Sequence, residues 1–141
     1  MLGGPPNPEI RRTLKAAGLR STRQRHALAS VLLRHGNRHV TAETLHAEVR
    51  AEGVKVSLAT VYNTLHSFTR AGLLRELMVE SGPSYFDTNT TPHHHFLDQR
   101  TGVLTDIPNG RLRVTGIPSP PESGEIAGVE VIVRVHSGGP E

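Results

Sequence analysis

The chain has 141 residues, 35% hydrophobic and 21% charged, which is enough for one domain of ordinary size or two very small ones. It contains no cysteine, which excludes disulfides, thiolate zinc sites, iron–sulfur clusters and cysteine nucleophiles. No apolar run approaches the roughly 20 residues of a membrane span, and residues 1–8 lack a secretion-signal pattern, so we expect a cytoplasmic protein without a membrane partner.

The net charge of +3 is unevenly distributed along the chain. Residues 1–80 contain twelve Lys and Arg against six Asp and Glu, whereas residues 81–141 contain four against seven. A strongly basic first part favours a polyanion as its partner. The chain also has nine histidines, the side chain that titrates near neutral pH and ligates transition metals.

Three helices are predicted in the basic part, each beginning at a Ser or Thr that is a suitable N-cap. They run from Thr22 to about His35, from Thr41 to about Gly53 and from Ser57 to about Ala71. Residues 1–8 are rich in Pro and Gly, and we expect them to be disordered. The outward face of the third helix is small and hydrogen-bonding, without an acid, which suits close approach to an anionic surface. Its members are Ala59, Thr60, Asn63, Thr64 and Ser67.

Extended apolar stretches follow the third helix. Residues 73–80 and 84–87 flank Ser-Gly-Pro and predict a β-hairpin. Three helices followed by a hairpin is the order of a winged helix-turn-helix. Composition alone leaves DNA binding and a plain scaffold about equally favoured.

The remainder of the chain predicts a small β-rich domain. Residues 95–99 and 103–107 form a second predicted hairpin, residues 112–114 a short strand, and residues 118–124 a turn-rich loop that cannot be helical. Alternating valines predict a last strand at 129–135, with Ile132 on its outward face. So few strands lack a sufficient core, and we expect dimerisation to complete it.

Consecutive histidines are the sharpest chemical feature. In an extended segment, His93 and His95 project to one side and His94 to the other. Asp87 could return a carboxylate to the same site, and His39 could contribute from the helical part. Such a nitrogen and oxygen donor set suits Fe(II), Mn(II) or Zn(II). A His-rich strand start without a ligand role is the alternative.

Four ordered motifs resemble those of the Fur (ferric uptake regulator) family of metal-responsive repressors: AGLRSTRQR (17–25), HVTAETL (39–45), SLATVYNTL (57–65) and AGLL (71–74). The stretches YFDTN (85–89), HHHF (93–96) and LTDIP (104–108) look like the iron response regulator (Irr) branch, which senses haem. The family's paired-cysteine motifs are replaced here by residues 98–102, so no Cys-ligated structural zinc is expected.

The resemblance implies an α+β architecture, with a winged-helix DNA-binding domain at 1–88 and a dimerisation and metal- or haem-sensing domain at 89–141. It implies a homodimer, or a pair of dimers, on an AT-rich inverted-repeat operator in double-stranded DNA. Arg20 would enter the minor groove and Tyr62 the major groove. The implied DNA-binding set is Arg20, Ser57, Ala59, Thr60, Tyr62 and Asn63, with Asn63 standing where most members carry Arg.

The family's regulatory metal site maps onto His39, Asp87, His93 and His95. A haem group would use His93, His94 or His95 as an axial ligand. We therefore expect an iron- or haem-responsive regulator of transcription. The alternatives are a Mn(II), Fe(II) or Zn(II) sensor without haem response, and a constitutive DNA-binding protein with a structural ion. No catalytic motif is present, so we do not expect an enzyme.

Overall fold

The computed structural model describes residues 7–34, 36–79 and 82–137. The chain divides into two compact units, residues 1–90 (the first unit) and residues 91–141 (the second unit). The boundary lies two residues beyond the 88/89 position expected from the sequence. Among the described residues, no helix combines the length and apolar character needed to cross a membrane.

The first unit contains four helices and a small sheet. The helices are α1 (Pro8–Ala16), α2 (Arg23–Leu32), α3 (Ala42–Ala51) and α4 (Leu58–Arg70). The strands are β1 (His39–Val40), β2 (Arg75–Met78) and β3 (Ser84–Asp87). Apolar residues from all four helices and from β1 and β3 form one buried core. The order and composition of these elements are those of a winged helix-turn-helix.

Local capping fixes where the helices begin. The hydroxyls of Thr22, Thr41 and Ser57 accept hydrogen bonds from backbone N–H groups in the first turns of α2, α3 and α4, which confirms the three predicted starts. The helix α4 ends before Gly72, whose φ of +85° suits glycine. The end predicted near His35 lies outside the described residues, and α2 ends at Leu32.

The sequence analysis did not predict α1. Asn7 is its N-cap, accepting from the Glu9 N–H at 2.8 Å, and Pro8 is its first residue. These two residues are therefore ordered, contrary to the expectation for 1–8; residues 1–6 lie outside the described part. Ile10 and Leu14, one turn apart, bury the inner face of the helix. An Asn-Pro-Glu start before this pair was the signal for the helix.

The sheet of the first unit, called here the wing sheet, has the strand order β1-β3-β2 with both pairings antiparallel. The β2–β3 pair is the predicted first hairpin. Across the three strands, Val40, Phe86 and Glu76 are register partners, and so are His39, Asp87 and Arg75. Successive residues of a strand point to opposite faces, so these two rows lie on opposite faces of the sheet.

The second unit is built on a sheet with the order β5-β4-β6. Strands β4 (His94–Asp98) and β5 (Leu104–Ile107) form the predicted second hairpin, while β6 (Ile132–Val135) pairs parallel to β4. The expected strand at 112–114 is wrong, because these residues pair with no strand of the described part of the chain. The last strand is shorter than predicted, beginning at Ile132. The loop at 118–124 contains one 3-10 turn, Pro121–Ser123, in which Glu122 and Ser123 have positive φ.

Candidate metal half-sites and nucleic-acid interface

The wing sheet brings His39 and Asp87 together. They are register partners on β1 and β3, and the Nε2 of His39 lies 3.1 Å from Oδ2 of Asp87. The Oδ1 atom of the same carboxylate accepts a hydrogen bond from the Asn89 N–H at 2.8 Å. Both side chains are largely buried, with 14% and 4% of their surfaces exposed. A buried imidazole and a backbone-oriented carboxylate are donors of the kind that bind divalent metal ions.

The strand that holds Asp87 is anchored beside the pair. The backbone N–H of Arg38 donates to the Thr88 hydroxyl at 2.8 Å, and the Thr88 N–H donates to the Arg38 carbonyl at 3.0 Å. The guanidinium of Arg38 makes a bidentate pair with Glu48 of α3, at 2.9 and 2.6 Å. These contacts hold the backbone at Arg38 and Thr88, next to His39 and Asp87, and so help to orient the two side chains.

The second unit contains the other group of potential ligands. The Nε2 atoms of His93 and His95 lie 3.3 and 3.4 Å from the same oxygen, Oδ1 of Asp106. The two ring centroids are 4.4 Å apart. His95 and Asp106 are register partners across the β4–β5 hairpin, which explains why the carboxylate meets the imidazoles. Both histidines are buried, whereas 40% of the Asp106 side chain is exposed.

A hydrogen bond sets the tautomer of His93. Its Nδ1 lies 2.6 Å from the Thr91 carbonyl oxygen, which can only accept, so Nδ1 carries a proton. In the neutral ring, Nε2 then presents a lone pair to the Asp106 carboxylate. A lone pair and an anionic oxygen at 3.3 Å repel each other unless a proton or a metal ion lies between them. Metal-bound histidines commonly donate their second N–H to a carbonyl in this way, so the donor set fits a divalent ion.

His94 faces away from these ligands, as alternation predicts. Its Nδ1 accepts a hydrogen bond from the Val131 N–H at 3.0 Å, which ties the first residue of β4 to the segment before β6. A cavity of about 140 Å³ lies beside it, lined by residues that include Pro92, His93 and Leu112. This volume is below the roughly 300–1,000 Å³ of most small-molecule sites, so as it stands the cavity is too small for a haem.

The remaining helix-associated histidines have structural contacts. The Nε2 of His26 accepts from the Asn7 N–H at 2.8 Å, and the Nε2 of His46 lies 2.9 Å from the Val56 carbonyl. His66 packs between aromatic rings. These three contacts agree with the expected structural or surface role. His35, expected to have the same role, lies outside the described residues.

The candidate nucleic-acid interface lies on α4 and the start of α2. Ala59, Tyr62 and Asn63 are exposed on α4, and Tyr62 retains 40% of its surface. A polar groove of about 440 Å³ brings Arg20 together with the α4 face, and Arg25 and Gln24 line it as well. Its α4 residues are Thr60, Asn63, Thr64 and Ser67. The groove contains two arginines and no acid, which suits a phosphate backbone.

Ser57 occupies the end of that face as a capping residue. Its Oγ accepts from the Thr60 N–H at 3.1 Å and donates to the Thr60 hydroxyl at 2.9 Å. Of the six residues predicted to contact DNA, Arg20, Ser57, Ala59, Tyr62 and Asn63 are exposed and Thr60 is half-buried.

Sequence reasoning missed Asp106 as a potential ligand. The signal was its place in the second predicted hairpin, opposite the histidines. Placing Asp106 beside the histidines requires the exact register of the β4–β5 hairpin, which the predicted strand limits alone do not give.

A family model described as the ferric uptake regulator family matches residues 16–115. The Peroxide operon regulator of Bacillus subtilis is 36% identical over 99 residues, which cover 70% of this chain and 68% of that protein. The Peroxide-responsive repressor PerR of Staphylococcus aureus is 33% identical over 95 residues, covering 67% of this chain and 64% of that protein.

Solved structures of ferric uptake regulators share the fold. The protein from Pseudomonas aeruginosa with manganese has a TM-score of 0.70 and 23% identity, covering 92% of this chain and 98% of that one. The protein from Vibrio cholerae has a TM-score of 0.71 and 23% identity, covering 90% and 98%. The matched relatives are named as regulators and repressors, in agreement with the expectation that this chain is not an enzyme. The comparisons do not distinguish the Irr branch. The chain belongs to the ferric uptake regulator family of transcriptional regulators.

Proposed function

We propose that this chain is a DNA-binding regulator that responds to one divalent metal ion held by His39, Asp87, His93 and His95, with Asp106 as a fifth ligand. The observation that carries the proposal is the presence of two ordered half-sites close together in the chain. Asp87 and His93 are six positions apart, so the extended chain between them spans at most about 20 Å. The two half-sites can therefore reach a common ion.

The donor chemistry supports a metal of the first transition series. Imidazole and carboxylate ligands without a thiolate suit Fe(II), Mn(II) and Zn(II). Solved family members are described with manganese, with iron and as a zinc-bound manganese uptake regulator. The choice among these ions for this chain is left to the binding experiment below.

Metal binding would control the relative orientation of the two units. An ion with ligands from both units favours the arrangement that brings the two half-sites together. That arrangement sets the spacing of two α4 helices in a dimer, and hence their fit to two half-operators. By thermodynamic linkage, DNA with the matching spacing would tighten metal binding by the same factor.

The DNA partner is supported by the surface of the first unit. We infer that Tyr62, Ala59, Thr60 and Asn63 approach base edges in the major groove, and that Arg20 enters the minor groove. An aromatic or methyl group can contact the thymine methyl, which supports an AT-rich operator. The Ser57 cap would position the N-terminus of α4, whose positive dipole end attracts phosphate.

A homodimer is supported by the second unit. Among its described residues, the buried hydrophobic side chains are Leu97, Leu104 and Ile107. Large apolar side chains are exposed on the same unit: Phe96, Val103, Val114, Ile117, Ile126, Val129 and Val135. An exposed apolar surface of this extent on so small a unit favours burial against a second copy. Assembly into a pair of dimers and a cytoplasmic location remain predictions.

The haem hypothesis is a narrower proposal within the same function. It is supported by the run from His93 to His95 and by the resemblance to the Irr branch. Axial ligation by His94 through Nδ1 would require breaking its bond to the Val131 N–H. Haem would also have to enlarge the adjacent cavity.

The test is the affinity of the purified full chain for a labelled AT-rich inverted-repeat duplex at one fixed salt concentration. The affinity is compared with a chelator, with Mn(II), with Zn(II) and with Fe(II) under anaerobic conditions. Haem is then added to the metal-loaded chain, and peroxide to the Fe(II)-loaded chain. A random duplex of equal length is the control. We expect metal to tighten binding to the inverted repeat only.

The outcomes separate the alternatives. Loss of the metal effect on adding haem supports the haem-responsive form. Loss of the metal effect on adding peroxide supports a response like the one for which the Staphylococcus aureus relative is named. If the chain prefers the inverted repeat and no addition changes its affinity, the result supports a constitutive DNA-binding protein with a structural ion. Equal binding to both duplexes in every arm would overturn the proposed function.

A further inference from the structure

Three aromatic rings meet where α4 packs beside the wing sheet. The ring of Tyr62 lies 4.7 Å from the ring of His66, one turn further along the helix. Phe86 of β3 meets both rings edge to face, at 6.1 Å from Tyr62 and 5.5 Å from His66, with interplanar angles of 87° and 88°. Edge-to-face packing at these distances is a favourable arrangement of aromatic rings. Tyr62 therefore has one side packed and 40% of its surface exposed.

The position of His66 is in turn set by the wing sheet. Glu76 and Phe86 are register partners on β2 and β3, so their side chains share one face of the hairpin. The Nδ1 of His66 lies 3.8 Å from Oε1 of Glu76, and its ring contacts Phe86. Phe86 is fully buried and has little freedom to move. His66 thus lies between two wing residues, of which Phe86 is fully buried, and the exposed tyrosine.

We propose that His66 is a positioning residue that holds the ring of Tyr62 in one orientation on the wing hairpin, and that it thereby contributes to the preference for operator over other DNA. The inference rests on the proposed function of Tyr62 in reading bases. A tyrosine that packs on one side only has several accessible rotamers. His66 and Phe86 remove those that turn the ring away, so less entropy is lost when the ring meets a base.

The proposal differs from a purely structural role for His66 in one measurable way. If His66 only stabilises the first unit, its truncation lowers the free energy of unfolding and weakens binding to all DNA alike. If it orients Tyr62, truncation lowers affinity for the preferred duplex and leaves the phosphate-driven affinity for random DNA unchanged.

The first experiment measures the ratio of affinities for the AT-rich inverted repeat and the random duplex with Mn(II) present. We expect His66→Ala to lower this ratio about 2- to 10-fold, from the usual strength of an aromatic pair. We expect His66→Phe, which retains a ring, to restore most of it. His46→Ala is the matched control, since it removes a half-buried helical histidine whose ring lies against the Val56 carbonyl oxygen. It should leave the ratio unchanged.

Tyr62→Ala separates the proposed role of Tyr62 from that of His66. If Tyr62→Ala keeps the wild-type ratio, the proposed role of Tyr62 fails, and the role of His66 fails with it. If the affinity ratio falls in Tyr62→Ala but stays at the wild-type value in His66→Ala, only the positioning role of His66 is overturned. In the double variant, we expect no loss beyond that of Tyr62→Ala alone.

A second experiment needs no DNA. The chain has two tyrosines and no tryptophan, so Tyr85→Phe leaves Tyr62 as its single fluorescent reporter. In that background, we expect His66→Ala to lower the emission anisotropy of Tyr62 and to raise its quenching by acrylamide, and His66→Phe to reverse both changes. Unchanged anisotropy and quenching in His66→Ala would overturn the positioning role.

Discussion

Phe86 and Asp87 are neighbours on β3 and point to opposite faces of the wing sheet. Phe86 contacts the rings of Tyr62 and His66, and Asp87 contacts His39. One short strand therefore carries a proposed metal ligand on one face and a support of the proposed base-reading residue on the other. A shift of β3 on metal binding would be transmitted to α4 through direct packing, without an intervening element.

This arrangement predicts that metal binding is detectable at Tyr62. Zn(II) is diamagnetic and does not itself quench by paramagnetism, so it is the suitable ion. In the Tyr85→Phe background, we expect saturating Zn(II) to change the emission anisotropy of Tyr62 without DNA, and Asp87→Asn to abolish the change. If Zn(II) binds and the emission of Tyr62 does not respond, the two faces of the wing sheet are uncoupled.

Asp106 provides a prediction about the second half-site. Two imidazole nitrogens converge on its Oδ1, so a metal ion there depends on its negative charge. We expect Asp106→Asn to weaken Mn(II) binding at least tenfold, as measured by equilibrium dialysis. Asp98→Asn, on the same hairpin, is the matched control and should leave the Mn(II) affinity unchanged. Equal affinities for the wild type and Asp106→Asn would remove Asp106 from the ligand set.

Substitutions at Ser57 test its capping role and its proposed DNA contact separately. Asp and Asn cap helices about as well as Ser, so Ser57→Asp and Ser57→Asn should each keep the free energy of unfolding within about 1 kcal/mol of the wild type. The added negative charge of Asp faces DNA phosphates in the proposed complex. We therefore expect Ser57→Asp to lose most DNA affinity and Ser57→Asn to retain it. Equal DNA binding by both variants would show that this end of α4 does not approach DNA.

Much of the first unit could be predicted because its signals are local. A capping hydroxyl, a helical run and a terminal glycine lie within a few residues of each other, and α2, α3 and α4 begin at their predicted caps. The strand β1 was not predicted, since two residues become a strand only through pairing with β3. The same pairing, between residues distant in the sequence, brings Asp87 beside His39.

The second unit was harder to predict because its pairing is non-local. The predicted strand ends place Gln99 opposite Val103, whereas the structure pairs Leu97 with Leu104. That difference of one residue decides which face Asp106 occupies. The alternation at 129–135 indicated a strand but not its parallel pairing with β4. Residues 112–114 have a composition suited to a strand but do not form one in the structure.

The hairpin turn of the second unit predicts an acid-dependent stability. The backbone N–H groups of Arg100 and Thr101 donate to Oδ1 of Asp98, at 2.8 and 3.2 Å, and chiefly the Arg100 bond lowers the pKa of this carboxyl from 3.8. A lowered folded-state pKa contributes stability above the unfolded value, and this contribution is lost as the pH falls through the folded-state value.

The matching measurement is urea unfolding of the metal-free chain at several pH values. We expect the stability difference between the wild type and Asp98→Ala to be constant above roughly pH 5 and to shrink below the ordinary carboxyl range. Asp98→Asn can accept the same bonds without a charge, so its difference from Asp98→Ala should not depend on pH. If the stability difference between the wild type and Asp98→Ala grows as the pH falls, the lowered pKa of Asp98 is contradicted.

We propose above that one ion takes ligands from both units. The most direct test is the stoichiometry and affinity of Mn(II) for the wild type, His39→Ala and His93→Ala, with His136→Ala as a matched histidine control. We expect one ion per chain in the wild type and the control, and at least a tenfold loss of affinity for that ion in each of the other variants. An unchanged stoichiometry and affinity in His39→Ala, or two independent ions of which each variant removes one, would contradict it.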